Sequence, residues 1–146
     1  RADLIAPLAA LLAPAVAPLL ATHRLDLVVA VPLHPARLVT RGFSQAHLLA
    51  CTALKLVGAD VSLDHGAVIR HRPTAVQAGL RRAARIENVR GSFSVPRHAR
   101  GRLKGRRLLL VDDVVTTGAT AAACARALLA GGAASVEVLA LARAEP

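Results

Sequence analysis

The sequence predicts an α/β fold with an open, mostly parallel sheet flanked by helices. Three observations carry that expectation. Leu27 to Val31, Leu108 to Val111 and Ser135 to Ala142 are nearly continuous apolar runs. A strand that is apolar on both sides suits a parallel sheet covered on both faces. Segments of helical composition separate these runs, and Gly58 and the pair Gly131-Gly132 supply stops. Strands and helices alternating at this spacing build a parallel sheet through crossover connections.

The elements follow in order. Leu4 to Thr22 carries no charge but holds Pro7, Pro14 and Pro18. A Pro-interrupted helix lying against the sheet is expected there, not a membrane span. Leu27 to Val31 is the first buried strand, stopped by Pro32. Arg41 to Val57 reads as a helix with Phe43, Ala46, Ala50, Ala53 and Val57 on one face. Ala67-Val68-Ile69 is a short strand, Gly79 to Val89 is helical in composition, and Ser92 to Val95 is another short strand. Leu108 to Val111 is the second buried strand, with Asp112 and Asp113 leaving its end. Thr117 to Ala130 is a helix, and Ser135 to Ala142 the third buried strand.

Composition narrows the function. The 146 residues suit one domain, are 54% hydrophobic and carry a formal charge of +10. The charge is uneven: residues 70–107 hold twelve Lys/Arg against one acid, whereas residues 1–69 hold five against four. Such a stretch attracts polyanions, or is a solvated arginine-rich face. Aromatics are 1%, only Phe43 and Phe93, which argues against stacking bases on aromatic platforms. Cys51 and Cys124 cannot build a disulfide framework or a four-cysteine zinc site, and read as small buried thiols. The unpaired cysteines and the lack of a secretory signal point to a cytoplasmic location. The histidines His23, His47, His65 and His98 lack metal-ligand spacing.

Chemistry concentrates at the end of the second buried strand. Ligands of open parallel sheets bind beyond the carboxyl ends of the strands. There, Asp112 and Asp113 precede Thr116, Thr117, Gly118, Ala119 and Thr120, which open a helix. Small hydroxyl residues and a glycine let backbone N–H groups converge on an anion, and the helix N-terminus adds roughly half a positive charge. The carboxylates can accept from vicinal hydroxyls or hold Mg²⁺ through water. A sugar phosphate satisfies both halves. Adjacent acids after a strand also occur in metal-dependent receiver domains, and a hydroxyl-rich start can be a cap alone. The turn is neither a Walker loop nor a G-x-G-x-x-G fingerprint.

This segment resembles the diphosphoribosyl-binding signature of type I phosphoribosyltransferases. A narrower resemblance, to the ComF-type competence-protein subfamily, rests on Val31 to Arg37, on Arg41-Gly42-Phe43-Ser44-Gln45-Ala46, and on Arg72, Thr74, Gln77, Leu80, Arg85, Asn88, Gly91 and Phe93. It spans roughly residues 20–143. Ser44 stands where the subfamily often has Asn, and Arg81 and Ala84 also depart from its pattern, leaving the middle stretch more basic.

The resemblance implies an enzyme that binds 5-phosphoribosyl-1-diphosphate with Mg²⁺. It would transfer the phosphoribosyl group to a nitrogenous acceptor and release pyrophosphate. It implies ribose and metal contacts at Asp112 and Asp113, and a phosphate loop from Thr116 to Thr120. It further implies a pyrophosphate loop with Leu33, His34 and Arg37, joined by Arg41. A mobile loop would bring Arg72 to the transition state, with Arg70 and Arg85 as further candidate cations. The alternative is a non-catalytic module that senses the phosphoribosyl ligand or associates with DNA during competence. A homodimer is a further expectation. Relatives of this type often carry an N-terminal cysteine-rich zinc module. With no Met at its start, this chain is expected to be a single domain over 1–146 that follows such a module. The acceptor cannot be read; Leu4 to Thr22 is the only candidate for part of a hood over it.

Overall fold

The computed structural model describes residues 4–33, 44–64, 66–70, 91–115 and 117–144. Four strands form one parallel sheet: β1 (Leu27–Ala30), β2 (Ser62–Asp64), β5 (Arg107–Val115) and β6 (Ser135–Arg143), in the order β2-β1-β5-β6. Two short strands, β3 (Ile69–Arg70) and β4 (Phe93–Ser94), pair antiparallel beside it. The helices are α1 (Ile5–Thr22), α2 (Gln45–Val57), α3 (Arg100–Leu103) and α4 (Ala119–Ala130). The predicted α/β class, with a mostly parallel sheet between helices, is the observed one.

Alternation along the strands divides the core between two faces. Val28, Leu109 and Val111 pack with Leu12 and Val16 of α1 and Leu49 and Ala53 of α2. Leu27, Val29, Leu108 and Leu110 pack with Cys124 and Leu128 of α4 and with Phe93 and Leu103. Leu108, Leu109 and Leu110 are all fully buried, so consecutive residues of β5 bury on opposite faces. This is why the strand reads as a continuous apolar run.

Several expectations shift. Helix α1 is continuous through Pro14 and Pro18, and Pro7 lies near its start. All three prolines are exposed, so the carbonyls they leave without a helical donor can turn to water. Helix α1 is long and apolar enough to cross a membrane, yet Ile5, Ala9, Leu12 and Val16 bury against the sheet and α2. Strand β3 starts two residues later than expected, and the expected helix over Gly79 to Val89 lies outside the described residues. Strand β2 has no counterpart among the expected elements. Strand β5 does not stop before Asp112: its ladder with β6 runs on through Asp112↔Ala140 to Val115↔Arg143.

Candidate functional site

The carboxyl ends of β1 and β5 open into a cleft of about 200 Å³. Its walls come from separate parts of the chain: Val31, Pro32 and Leu33 after β1, Ser44 to Ala46 at the start of α2, Arg70 of β3, Asp112 to Val114 of β5, and Thr120 of α4. The Val31 N–H donates to Val111 O at 2.9 Å, so β1 keeps its register with β5 up to the cleft edge. Ser44 caps α2, its Oγ accepting from the His47 N–H at 3.4 Å. That cap fixes where Gln45 and Ala46 enter the wall.

The two acids differ in environment. Asp112 is 8% exposed, while Asp113 is only half-buried. Asp112 Oδ1 accepts from the Asp113 N–H at 2.9 Å, and Asp113 Oδ1 accepts from the Val114 N–H at 2.8 Å. Burial, with the hydrogen bond and charge of Asp113 behind it, pushes the Asp112 carboxyl up to about 7. The positive charge of Arg70 pulls it the other way. Arg70 is 9% exposed, and its guanidinium carbon lies 5.3 Å from the centre of the Phe93 ring. Asp112 and Arg70 therefore share the face covered by α4. Cys124 of α4 feels the same Asp112 charge after its own burial, and its thiol is pushed up to about 12. A thiol so reluctant to ionise is inert packing, as its sequence context implies.

Beyond β5 the chain turns into α4. Gly118 sits at φ 83°, a left-handed conformation that glycine enters without strain. The Ala119 N–H donates to Thr117 Oγ1 at 3.2 Å, and Gly118 offers no side-chain cap. Helix α4 thus starts at Ala119, two residues later than expected, with Thr117 and Gly118 spent on the turn. With the Ala119 N–H taken by Thr117, the next N–H groups of its first turn have no helical acceptor, the kind of helix start that can receive an anion.

Among the described residues no group of three metal-ligating side chains is present. The two acids still suit Mg²⁺, which keeps several waters and takes one or two carboxylates together with ligand phosphates. Burial first, and the neighbouring Asp113 after it, disfavour the charged Asp112, and a divalent cation would offset both. Of the residues expected at the site, Leu33, Asp112, Asp113 and Thr120 line the cleft, and Thr117, Gly118 and Ala119 form the adjoining turn. His34, Arg37, Arg41, Arg72 and Thr116 lie outside the described residues. Sequence reasoning did not place Ser44 and Gln45 in the cleft, and counted Arg70 only among several candidate cations. The one available signal was the polarity of Ser44-Gln45 at a helix start.

A parallel sheet that ends in paired acids and a glycine turn before a helix defines an α/β protein with its polar groups gathered at the carboxyl ends of the strands. The chain belongs to the phosphoribosyl transferase domain family, whose sequence pattern matches residues 40–145. Its curated relatives include the DNA utilization protein YhgH of Escherichia coli K12, 38% identical over 118 residues. The match covers 81% of this chain and 49% of that protein. The Shigella flexneri protein of the same name is 37% identical over the same length and shares. The chain therefore spans about half the length of these relatives, which are of the ComF-like kind that the sequence resembles. Among solved structures, a glutamine phosphoribosylpyrophosphate amidotransferase from B. subtilis superposes with TM-score 0.57 at 24% identity, over 94% of this chain and 26% of that one. A Trypanosoma cruzi hypoxanthine phosphoribosyl transferase gives TM-score 0.57 at 15% identity, over 99% and 75%. The shared fold is the type I phosphoribosyltransferase fold.

Proposed function

We propose that this chain binds 5-phosphoribosyl-1-diphosphate with Mg²⁺ and transfers the phosphoribosyl group to a nitrogenous acceptor. The supporting observation is a cleft in which Asp112 and Asp113 adjoin the glycine turn that starts α4. In this reading the turn from Thr116 to Thr120 receives the 5-phosphate, while Asp112 and Asp113 accept from the ribose hydroxyls. The bond from ribose C1 to the diphosphate oxygen breaks and a bond from C1 to the acceptor nitrogen forms. The diphosphate takes the electron pair, and the acceptor gives up a proton. Bound Mg²⁺ would neutralise the diphosphate, held by the two acids through water. Arg70, already in the cleft wall, meets the negative charge that develops on the leaving group. The assignments of His34, Arg37 and Arg41 to the pyrophosphate loop, and of Arg72 to a closing loop, rest on the family resemblance.

The relatives' printed name favours a second reading: the same site senses the ligand without turnover while the protein serves DNA utilization. A cytoplasmic location and a homodimer belong to both readings as expectations. Titration calorimetry with 5-phosphoribosyl-1-diphosphate and Mg²⁺ tests the site. Replacing Asp112 and Asp113 together by Asn is expected to weaken binding at least about a hundredfold, since two charged ligand contacts are lost. Unchanged binding would refute the assignment. Release of pyrophosphate in a screen of purines, pyrimidines and amines separates turnover from sensing.

A further inference from the structure

We propose that the open edge of β6 and the outer flank of α1 form one self-complementary surface, on which a second copy of this chain docks about a two-fold axis at Ala140. Among the described residues β6 pairs only with β5, so it is an edge of the sheet. It is nine residues long and holds no Pro, Gly or Lys. An edge strand is a template for another strand, and proteins blunt it by shortness, charge or proline. The opposite edge is blunted: β2 has three residues and ends in Asp64. The edge of β6 is not. The Ala144 N–H donates to Val115 O at 2.8 Å. Alternation along the ladder then turns the backbone N–H and C=O groups of Glu137, Leu139, Leu141 and Arg143 away from β5.

Helix α1 adds apolar surface on the same side. Leu139 and Leu141 lie on the sheet face that α1 and α2 cover. Ala17 and Ala21 of α1 line a groove with Val57 of α2. By helical periodicity, Leu4, Leu8, Leu11 and Ala15 fall on the flank turned away from that groove. Helix α2 packs on β1 and β5 while α1 reaches β6, so this flank faces the side where the sheet ends. It carries no charge, and Leu11 is 72% exposed.

Charge identifies the occupant as a second copy. Antiparallel pairing about Ala140 sets Leu139 opposite the partner's Leu141 and Glu137 opposite the partner's Arg143, twice by symmetry. Moving the axis one residue, to Leu139, sets Glu137 against a leucine and Arg143 against a serine, and both charges lose their match. Glu137 lies 3.6 Å from His23 with its side chain 42% exposed, so the carboxylate is still open to a second cation. On the other face Val138, an exposed apolar side chain, comes opposite the partner's Ala142. The edge and the helix layer above it make a patch of roughly 30 by 20 Å, about 600 Å² per copy. Two such patches reach the lower range of stable interfaces, about 1,200 Å² in total. Because the pairing is antiparallel, the two clefts open at opposite ends of the joined sheet, and neither is covered.

Sedimentation equilibrium between about 1 and 200 µM tests the proposal. The 15.1 kDa chain is expected to approach twice that mass at the upper concentrations. Glu137→Arg should weaken dimerisation at least about tenfold, because both charge pairs become repulsive. Glu137→Arg with Arg143→Glu restores the pairs in reverse and should restore the dimer. Ala140→Cys reads the register: at the axis two Cα atoms stand about 4.5 Å apart, within disulfide reach. With the half-buried Cys51 replaced by Ser, that chain should cross-link to itself on oxidation, and Val138→Cys should not. A chain that stays monomeric throughout overturns the proposal. So does a dimer that is indifferent to Glu137→Arg and gives no Ala140→Cys cross-link. A monomer that floats with phosphatidylglycerol vesicles also overturns it and assigns the α1 flank to lipid.

Discussion

The cleft and the segment that leads into β5 hold charge in opposite ways. At the carboxyl end, Asp112 and Arg70 are each less than a tenth exposed, and the protein itself is the medium between them. Along the segment that leads into β5, the basic side chains of residues 97–107 stand in water. Buried charge responds to pH, because desolvation moves the proton equilibrium. Exposed charge responds to salt, because water and ions screen it. The Arg102–Asp64 contact belongs to the second kind despite its 2.7 Å length, since the Arg102 side chain is 44% exposed. Charge in the cleft is therefore governed by the protein around it, and charge along residues 97–107 by solvent.

The largest expected effect breaks this contrast at its buried end. The Asp112 carboxyl is raised to about 7 from an ordinary 3.8, so the folded chain holds that proton more tightly than the unfolded chain does. Stability is then greatest below about pH 4 and falls as pH rises through about 7. Replacing Asp112 by Asn removes the slope, and the new side chain can still accept from the Asp113 N–H. The variant should match the parent near pH 4 and exceed it at pH 8 by on the order of 2–4 kcal/mol. Urea melts at the two pH values read this directly. A parent whose stability does not change between them would mean that Asp112 is not desolvated. The same titration gives the ligand a pH profile: Mg²⁺-dependent binding should strengthen as pH rises through about 7, where the carboxylate forms.

The next effect compares the two ends of α4, each marked by a glycine with a different reason to be there. Gly131, at the amino end of the sheet, has an ordinary φ of −78° but no room. A Cβ there would meet Val95 Cγ2 at 2.6 Å. Gly131→Ala is expected to cost about 1–3 kcal/mol through overpacking. The Val95 Cβ itself would lie 2.8 Å away, so Val95→Ala in the same chain should return only the part of that cost due to the two methyl groups. A double-mutant cycle by chemical denaturation measures the coupling, and simple additivity of the two changes would rule out the steric account.

Much of this architecture can be read in the sequence, and the exceptions have physical reasons. Strands β1 and β5 stand out because residues on both their faces are buried. Strand β6 reads as apolar too, but it is a sheet edge whose residues are at most partly buried. Strand β2 does not stand out: it is three residues at the sheet edge, with Ser62 exposed and Asp64 turned to Arg102. The end of β5 misleads for the opposite reason. Two acids look like a stop, but a partner strand continues alongside to Arg143, and the ladder tolerates them. Asp112 and Asp113 are legible as a site because they are adjacent and a glycine turn follows. The burial that sets Asp112 apart from Asp113 is not legible. Asp112 interacts there with Arg70 and Cys124, which the fold brings from other elements.

The smallest expected effect lies at the other end of α4 and separates strain from function. Gly118 has φ 83°, and a Cβ there would meet nothing within 4 Å. Gly118→Ala therefore costs only the left-handed conformation, about 1 kcal/mol, and no second substitution can relieve it by making room. The backbone has a second way to respond: it can relax toward negative φ and rotate the turn that orients the first N–H groups of α4. If those groups receive a phosphate, the variant should lose affinity for inorganic phosphate and for 5-phosphoribosyl-1-diphosphate by about the same factor, because both ligands would share that contact. If the turn were only a helix start, stability would fall by the same 1 kcal/mol with both affinities intact. Calorimetry with the two ligands beside a denaturation curve distinguishes these outcomes. Gly131→Ala is the control, since it perturbs the same helix from the end that faces away from the cleft.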